Sequence, residues 1–184
     1  KTFDELIYAR NDVNVAGVRF HSNRWTNQDT IVGVVYRTDK THVEYFDALE
    51  GATYAQLEGA IPEAYNVRIT SRSRDGKVLT IFNSGPRDPG SYYLLKDGVL
   101  KAIGSQQPLL RSADLADVKY INYKSRDGKT IHAYITIPHG EGPFPTVVMP
   151  HGGPFVGETV SYDEWGQLLA NNGYLVLQPQ YRGS

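Results

Sequence analysis

Between Thr146 and Gln178 the chain carries two short apolar runs, Thr146–Met149 and Tyr174–Gln178, separated by a stretch with helical periodicity. Strands that are apolar at nearly every position are buried on both faces. Two such strands joined through a helix make a βαβ unit, because parallel neighbours need a long crossover. The segment between them supplies its own boundaries. Ser161-Tyr162-Asp163-Glu164 fits a capping box with Ser161 as N-cap and Glu164 three residues on. Trp165, Leu168 and Leu169 are expected to form the buried stripe of the helix, and Gly173 stands where a left-handed residue ends one. Two parallel strands and one helix cannot cover both faces of a sheet. This part is therefore expected to be an incomplete α/β element, ordered only beside further chain.

The earlier sequence follows a different grammar. Val13–Phe20, Thr30–Tyr36 and Thr41–Phe46 read as strands, the second apolar nearly throughout. A helix is expected from Asp47 to Ala60, with Phe46, Leu49, Thr53, Leu57 and Ala60 as a modest amphipathic stripe. Val67–Ser71, Lys77–Asn83, Tyr92–Lys96 and Val99–Ile103 then form a meander whose tight turns are supplied by Asp75-Gly76 and Asp97-Gly98. Four strands in about 40 residues is the size of one propeller blade, which cannot bury both of its faces alone. The pentapeptide Ser-Arg-Asp-Gly-Lys occurs at Ser73–Lys77 and again at Ser125–Lys129. We read the echo as two hairpin turns that recruit the same Asp-Gly chemistry rather than as a repeat of structure. The Pro/Gly-rich loop Pro138–Pro145 marks an element boundary, and the change of architecture falls near Leu110–Val118.

The chemistry concentrates in Val147-Val148-Met149-Pro150-His151-Gly152-Gly153-Pro154-Phe155. At the carboxyl end of a parallel strand, the N–H groups of the following loop point into the crevice where such sheets bind ligands. Glycines there let a substrate carbonyl approach the backbone closely. One reading is half of an oxyanion hole at Gly152 and Gly153, with His151 bracing the loop. The other is a Gly-Gly turn with no chemistry. No G-x-S-x-G elbow occurs in the 184 residues, and cysteine is absent, so thiolate catalysis is excluded. Of the five histidines, His21, His42, His132 and His139 precede the two parallel strands, whereas hydrolase order puts histidine last. A Ser-His-Asp triad cannot be assembled from these residues. No metal site is expected either: no H-x-x-x-H pattern or carboxylate cluster is present. The net charge of −1 gives no electrostatic footprint for nucleic acid, and no apolar run is long enough for a membrane helix.

The segment His151–Ser184, HGGPFVGETVSYDEWGQLLANNGYLVLQPQYRGS, resembles the start of the catalytic domain of prolyl oligopeptidase-type serine peptidases, on the acylaminoacyl-peptidase and dipeptidyl-peptidase-like branch. That branch shows HGGP, then W and LA in a helix, then NGY, a strand, and N-Y-R-G-S; here Gln180 replaces the usual Asn. Tyr123–Pro138 resembles the family's lead-in hairpin to the hydrolase domain, and Val67–Leu95 a late propeller blade. The resemblance implies a mixed fold: the C-terminal blades of a β-propeller over 1–113, then the first strands and helix of an α/β-hydrolase domain over 114–184. It implies Gly152 and Gly153 as backbone oxyanion donors, His151 as the residue that positions their loop, and a triad lying beyond Ser184, which is itself not the nucleophile. The expected partners are a peptide substrate and the remainder of the same polypeptide, with room for a homo-oligomer of the parent. No cofactor is expected. Two other classes stay open, a propeller-derived binding module with a vestigial hydrolase edge and a non-peptidase esterase.

Overall fold

The computed structural model describes residues 5–153 and 155–184, so Pro154 of the HGGP loop lies outside the described residues. The chain divides into two compact units. The first runs to Asn83 and includes Tyr92–Ile103; the second comprises Ser84–Ser91 and Gly104–Ser184.

The first unit opens with three antiparallel strands, β1 (Val15–Phe20), β2 (Ile31–Arg37) and β3 (Thr41–Tyr45), in the order β1-β2-β3. Val32, Gly33 and Val34 are consecutive and all buried. Because successive strand side chains point to opposite faces, the middle strand is covered on both, as its unbroken apolar run predicts. Helix α1 (Ala48–Ala60) follows, capped by Asp47, whose side chain accepts from the N–H of Glu50.

The buried face of α1 differs from the expected stripe. Leu49 is 76 % and Phe46 48 % exposed, whereas Glu50, Tyr54 and Leu57 are buried. The reason is a polar site. The Glu50 carboxylate accepts from the Ser22 N–H (3.1 Å), the Ser22 hydroxyl (2.9 Å) and the Arg72 guanidinium (3.3 Å), with His21 Nε2 at 3.7 Å. These partners rotate the helix so that a carboxylate faces inward.

Strands β4 (Arg68–Arg72), β5 (Val78–Gly85), β6 (Asp88–Lys96) and β7 (Val99–Ser105) form the four-stranded meander, in the order β4-β5-β6-β7. Leu57, Ile61, Val67, Leu79 and Ile81 make a core cluster, flanked by Ile69, Tyr93 and Leu95. At the tight turns Asp97 and Gly98 both take positive φ (50° and 76°), which two-residue hairpins need. The two SRDGK copies make one turn in two places. In each, the glycine N–H donates to the serine carbonyl at 2.9 Å and the serine hydroxyl donates to the aspartate, at 2.6 Å in one copy and 2.5 Å in the other.

The second unit holds a four-stranded sheet in the order β10-β11-β9-β8, from β8 (Asp117–Lys124), β9 (Thr130–Ile137), β10 (Thr146–Val148) and β11 (Leu175–Gln180). Strands β10 and β11 are parallel, joined through helix α2 (Glu164–Asn171), as the sequence predicts. The sheet is larger than the βαβ unit alone. Strand β11 also pairs antiparallel with β9, which brings the 117–137 hairpin into the same layer. Among the described residues strand β10, three residues long, lies at the edge of this sheet, with Val148 60 % exposed.

Helix α2 starts later than its capping box predicts. Asp163 is the N-cap, accepting from the Trp165 N–H, and its other oxygen receives the Gln178 amide at 2.7 Å. A carboxylate held from two directions displaces the weaker serine cap. The buried face is Gly166, Gln167 and Ala170, while Trp165 and Leu168 are 68 % and 54 % exposed. A Cβ at Gly166 would stand 3.2 Å from Thr136 Oγ1, so the helix lies close on β9 where it lacks a side chain. Gly173 takes the expected left-handed turn (φ 84°), its N–H bonded to Ala170.

Candidate functional site

The loop that leaves β10 is held by residues that follow β11. Met149 still pairs with β11, its N–H donating to Leu177 O at 2.8 Å, and the chain then turns at His151. The half-buried Tyr181 lies under this turn. Its ring stacks on the His151 imidazole, with centroids 4.4 Å apart. Its hydroxyl donates a bifurcated bond to the carbonyls of His151 (2.7 Å) and Gly152 (3.1 Å). His151 adds a second hold on the same carbonyl: Nδ1 lies 2.6 Å from Gly152 O, which can only accept, so Nδ1 carries the proton. Nε2 lies within hydrogen-bond distance of the Ser184 hydroxyl, at 2.9 Å, and that hydroxyl donates to the Tyr181 carbonyl at 2.5 Å.

Gly153 takes φ 146°, a region that glycine favours, and a Cβ there would lie 3.2 Å from Phe155 N and 3.4 Å from the Tyr181 hydroxyl. At Gly152 a Cβ would meet nothing within 4 Å. Among the described residues, the N–H groups of Gly152 and Gly153 have no hydrogen-bond partner. Two exposed donors on adjacent peptides at the end of a parallel strand can receive an anionic oxygen.

Farther along, the loop is tied down again at Glu158. Its carbonyl accepts from the Tyr134 hydroxyl at 2.7 Å, and its N–H donates to Gln180 at 3.3 Å. A cleft of about 500 Å³ opens beside this segment, lined among others by Tyr134, Glu158, Ser161, Asp163 and Gln178. Arg182 reaches back to the second SRDGK turn and pairs with Asp127 at 2.8 Å. The Ser125 hydroxyl, donating to Asp127, and the nearby Arg182 hold this carboxyl below its usual range. A lowered folded-state value means that the tether is intact above the ordinary carboxylate range, about 3.9, and is lost as pH falls through the lowered value. We expect Arg182→Gln to move the Asp127 titration, followed by side-chain carboxyl NMR, upward toward the ordinary value. An unmoved midpoint would show that the pair exerts no pull.

Sequence reasoning singled out His151, Gly152 and Gly153, and these are adjacent in the loop just described. It missed Tyr181, Tyr134 and Asp127 as supports. Their contacts span 30, 24 and 55 positions, and no local pattern reports them. The other histidines with polar partners have them elsewhere, His21 beside Glu50, His42 beside Asp39 and His132 beside Asn122. Among the described residues no group of three His, Cys, Asp or Glu side chains is placed to hold a metal, and no helix is long and apolar enough to cross a membrane.

No family model matches the chain. It is 31 % identical over 170 residues to dipeptidyl aminopeptidase BIII of Pseudoxanthomonas mexicana, a match that covers 86 % of this chain and 24 % of that protein. Among solved structures, prolyl oligopeptidase B from Galerina marginata aligns with 97 % of this chain at a TM-score of 0.61 and 14 % identity, over 25 % of its own length. Oligopeptidase B from Leishmania major aligns with 94 % at 0.58 and 13 % identity, again over 25 % of its length. At those identities the two structures speak to the fold. The chain spans about a quarter of the length of the relatives it matches. The chain carries the HGGP, NGY and YRGS motifs, its sequence match to a dipeptidyl aminopeptidase runs through most of its length, and its fold is shared with prolyl oligopeptidase-type enzymes; the chain is similar to members of the prolyl oligopeptidase family.

Proposed function

We propose that this chain is the junction segment of a serine-type peptidase that hydrolyses peptides or acyl-amino acids. In this reading residues 1–113 are the last part of a β-propeller that filters substrates, and 114–184 begin the α/β-hydrolase domain. The observation that carries the reading is the pair of unpartnered N–H groups at Gly152 and Gly153, presented by a loop fastened on both sides. They would receive the oxyanion of a tetrahedral intermediate, with one donor more from the neighbour of a nucleophile supplied by further chain. His151 positions the loop through its bond to Gly152. The same further chain would cover the exposed Trp165, Leu168 and Val148.

The test uses a fluorophosphonate probe, which labels only an activated serine. The full-length polypeptide should be labelled and the 184-residue chain should not. Labelling of the short chain, at Ser184 or elsewhere, would sink this assignment of roles. A full-length polypeptide that resists the probe would favour the binding-module reading instead.

A further inference from the structure

We infer that Tyr181 is a positioning residue that sets the direction of the two oxyanion donors by fixing the carbonyls on the opposite sides of their peptide planes; this rests on the oxyanion reading of Gly152 and Gly153. A trans peptide is planar, with its C=O and N–H pointing in opposite directions. The carbonyl of His151 shares a plane with the N–H of Gly152, and the carbonyl of Gly152 shares one with the N–H of Gly153. The Tyr181 hydroxyl contacts both of these carbonyl oxygens, at 2.7 and 3.1 Å. One proton on one side of the loop therefore turns two successive N–H groups toward the other side.

The hold matters because the loop is built of residues that resist rotation least. Glycine accepts φ values that other residues avoid, so a Gly-Gly peptide can flip at small cost. A flipped peptide would present a carbonyl where the oxyanion forms, exchanging attraction for repulsion. The Tyr181 ring is itself immobilised, stacked on His151, and Arg182 next to it is tied to Asp127. The hydroxyl thus belongs to a braced element rather than to a free side chain. His151 Nδ1 assists at Gly152 O but makes no such contact with its own carbonyl, which leaves Tyr181 as the contact that couples the two peptides.

The experiment uses the full-length protein with Tyr181→Phe, which keeps the stacking ring, and Tyr181→Leu, which removes it. Two ligands are compared: a peptide boronic acid, which forms a tetrahedral anionic adduct, and the corresponding cleaved product peptide. Because the donors are loosened and not deleted, Tyr181→Phe should lower kcat by about tenfold or more, short of the 100- to 1000-fold seen when a donor is removed. KM should stay within about twofold, and boronate affinity should fall by the same factor as kcat while product affinity holds. If Phe restores wild-type behaviour and only Leu is impaired, stacking is the whole role and the inference is overturned. It is equally overturned if boronate and product weaken together. A wild-type protein that binds boronate no better than product would overturn the oxyanion reading itself, a result distinct from either.

Discussion

Replacing Glu50 by alanine is expected to lower the stability of the first unit by about 3–5 kcal/mol. Glu50 is 2 % exposed, and its carboxylate is the shared acceptor for the Ser22 N–H, the Ser22 hydroxyl and Arg72. The loss is larger than that of one hydrogen bond because deletion strands the partners. An arginine whose side chain is 14 % exposed would be left without its counter-charge, and a backbone N–H would lose its acceptor. The damage should also be shared between elements, since the site joins α1 to the end of β1 and to β4. Native-state hydrogen exchange of the full-length protein would read it as lost protection at the amides of α1 and β4 together. Glu50→Gln keeps the volume and one acceptor and should cost less. A change under about 1 kcal/mol for alanine would mean that packing, not this network, seats the helix.

The second large effect is expected at Gly153. In the full-length protein Gly153→Ala should reduce kcat by about 100- to 1000-fold, the range for losing one oxyanion donor. The cause is local: at φ 146° a Cβ is strained, and it would press on Phe155 N and the Tyr181 hydroxyl. Rotation of the peptide, which relieves the strain, turns its N–H away from the oxyanion. Gly152→Ala is the informative companion. Its φ lies outside the left-handed region and its Cβ would meet nothing within 4 Å, so whatever it changes is exerted on the substrate and not on the loop. If Gly153→Ala keeps kcat within about threefold of wild type, the assignment of that N–H to the oxyanion falls.

The order of elements was legible in the sequence because it rests on local rules. Asp-Gly turns, apolar strand runs and the Asp47 and Gly173 helix ends act within a few residues. The two helix faces were not legible, for one physical reason. A hydropathy stripe puts Leu49 and Trp165 inside and Glu50 and Gln167 outside, yet the structure does the reverse. The polar residues go in because partners wait for them at positions such as Ser22 and Ala116, which lie 28 and 51 positions away. The site divides in the same way. His151, Gly152 and Gly153 stand out in one motif, while the hydroxyl that orients them comes from the far end of the βαβ unit and becomes their neighbour only when β11 lies beside β10.

Gln167 carries a consequence for how α2 is set on the sheet. Its side-chain amide accepts from the Ala116 N–H (2.8 Å) and donates to the carbonyls of Ala116 (3.0 Å) and Pro86 (3.2 Å). It behaves as a surrogate peptide group, offering an irregular stretch of backbone the pairing that another strand would provide. The angular setting of the helix about its own axis is thereby written in donor and acceptor positions, which tolerate little slippage. Oily contacts would permit a range of rotations; this latch selects one. The aromatic and aliphatic side chains of α2 are thus released from holding the helix in place and remain free to face whatever packs on its other side.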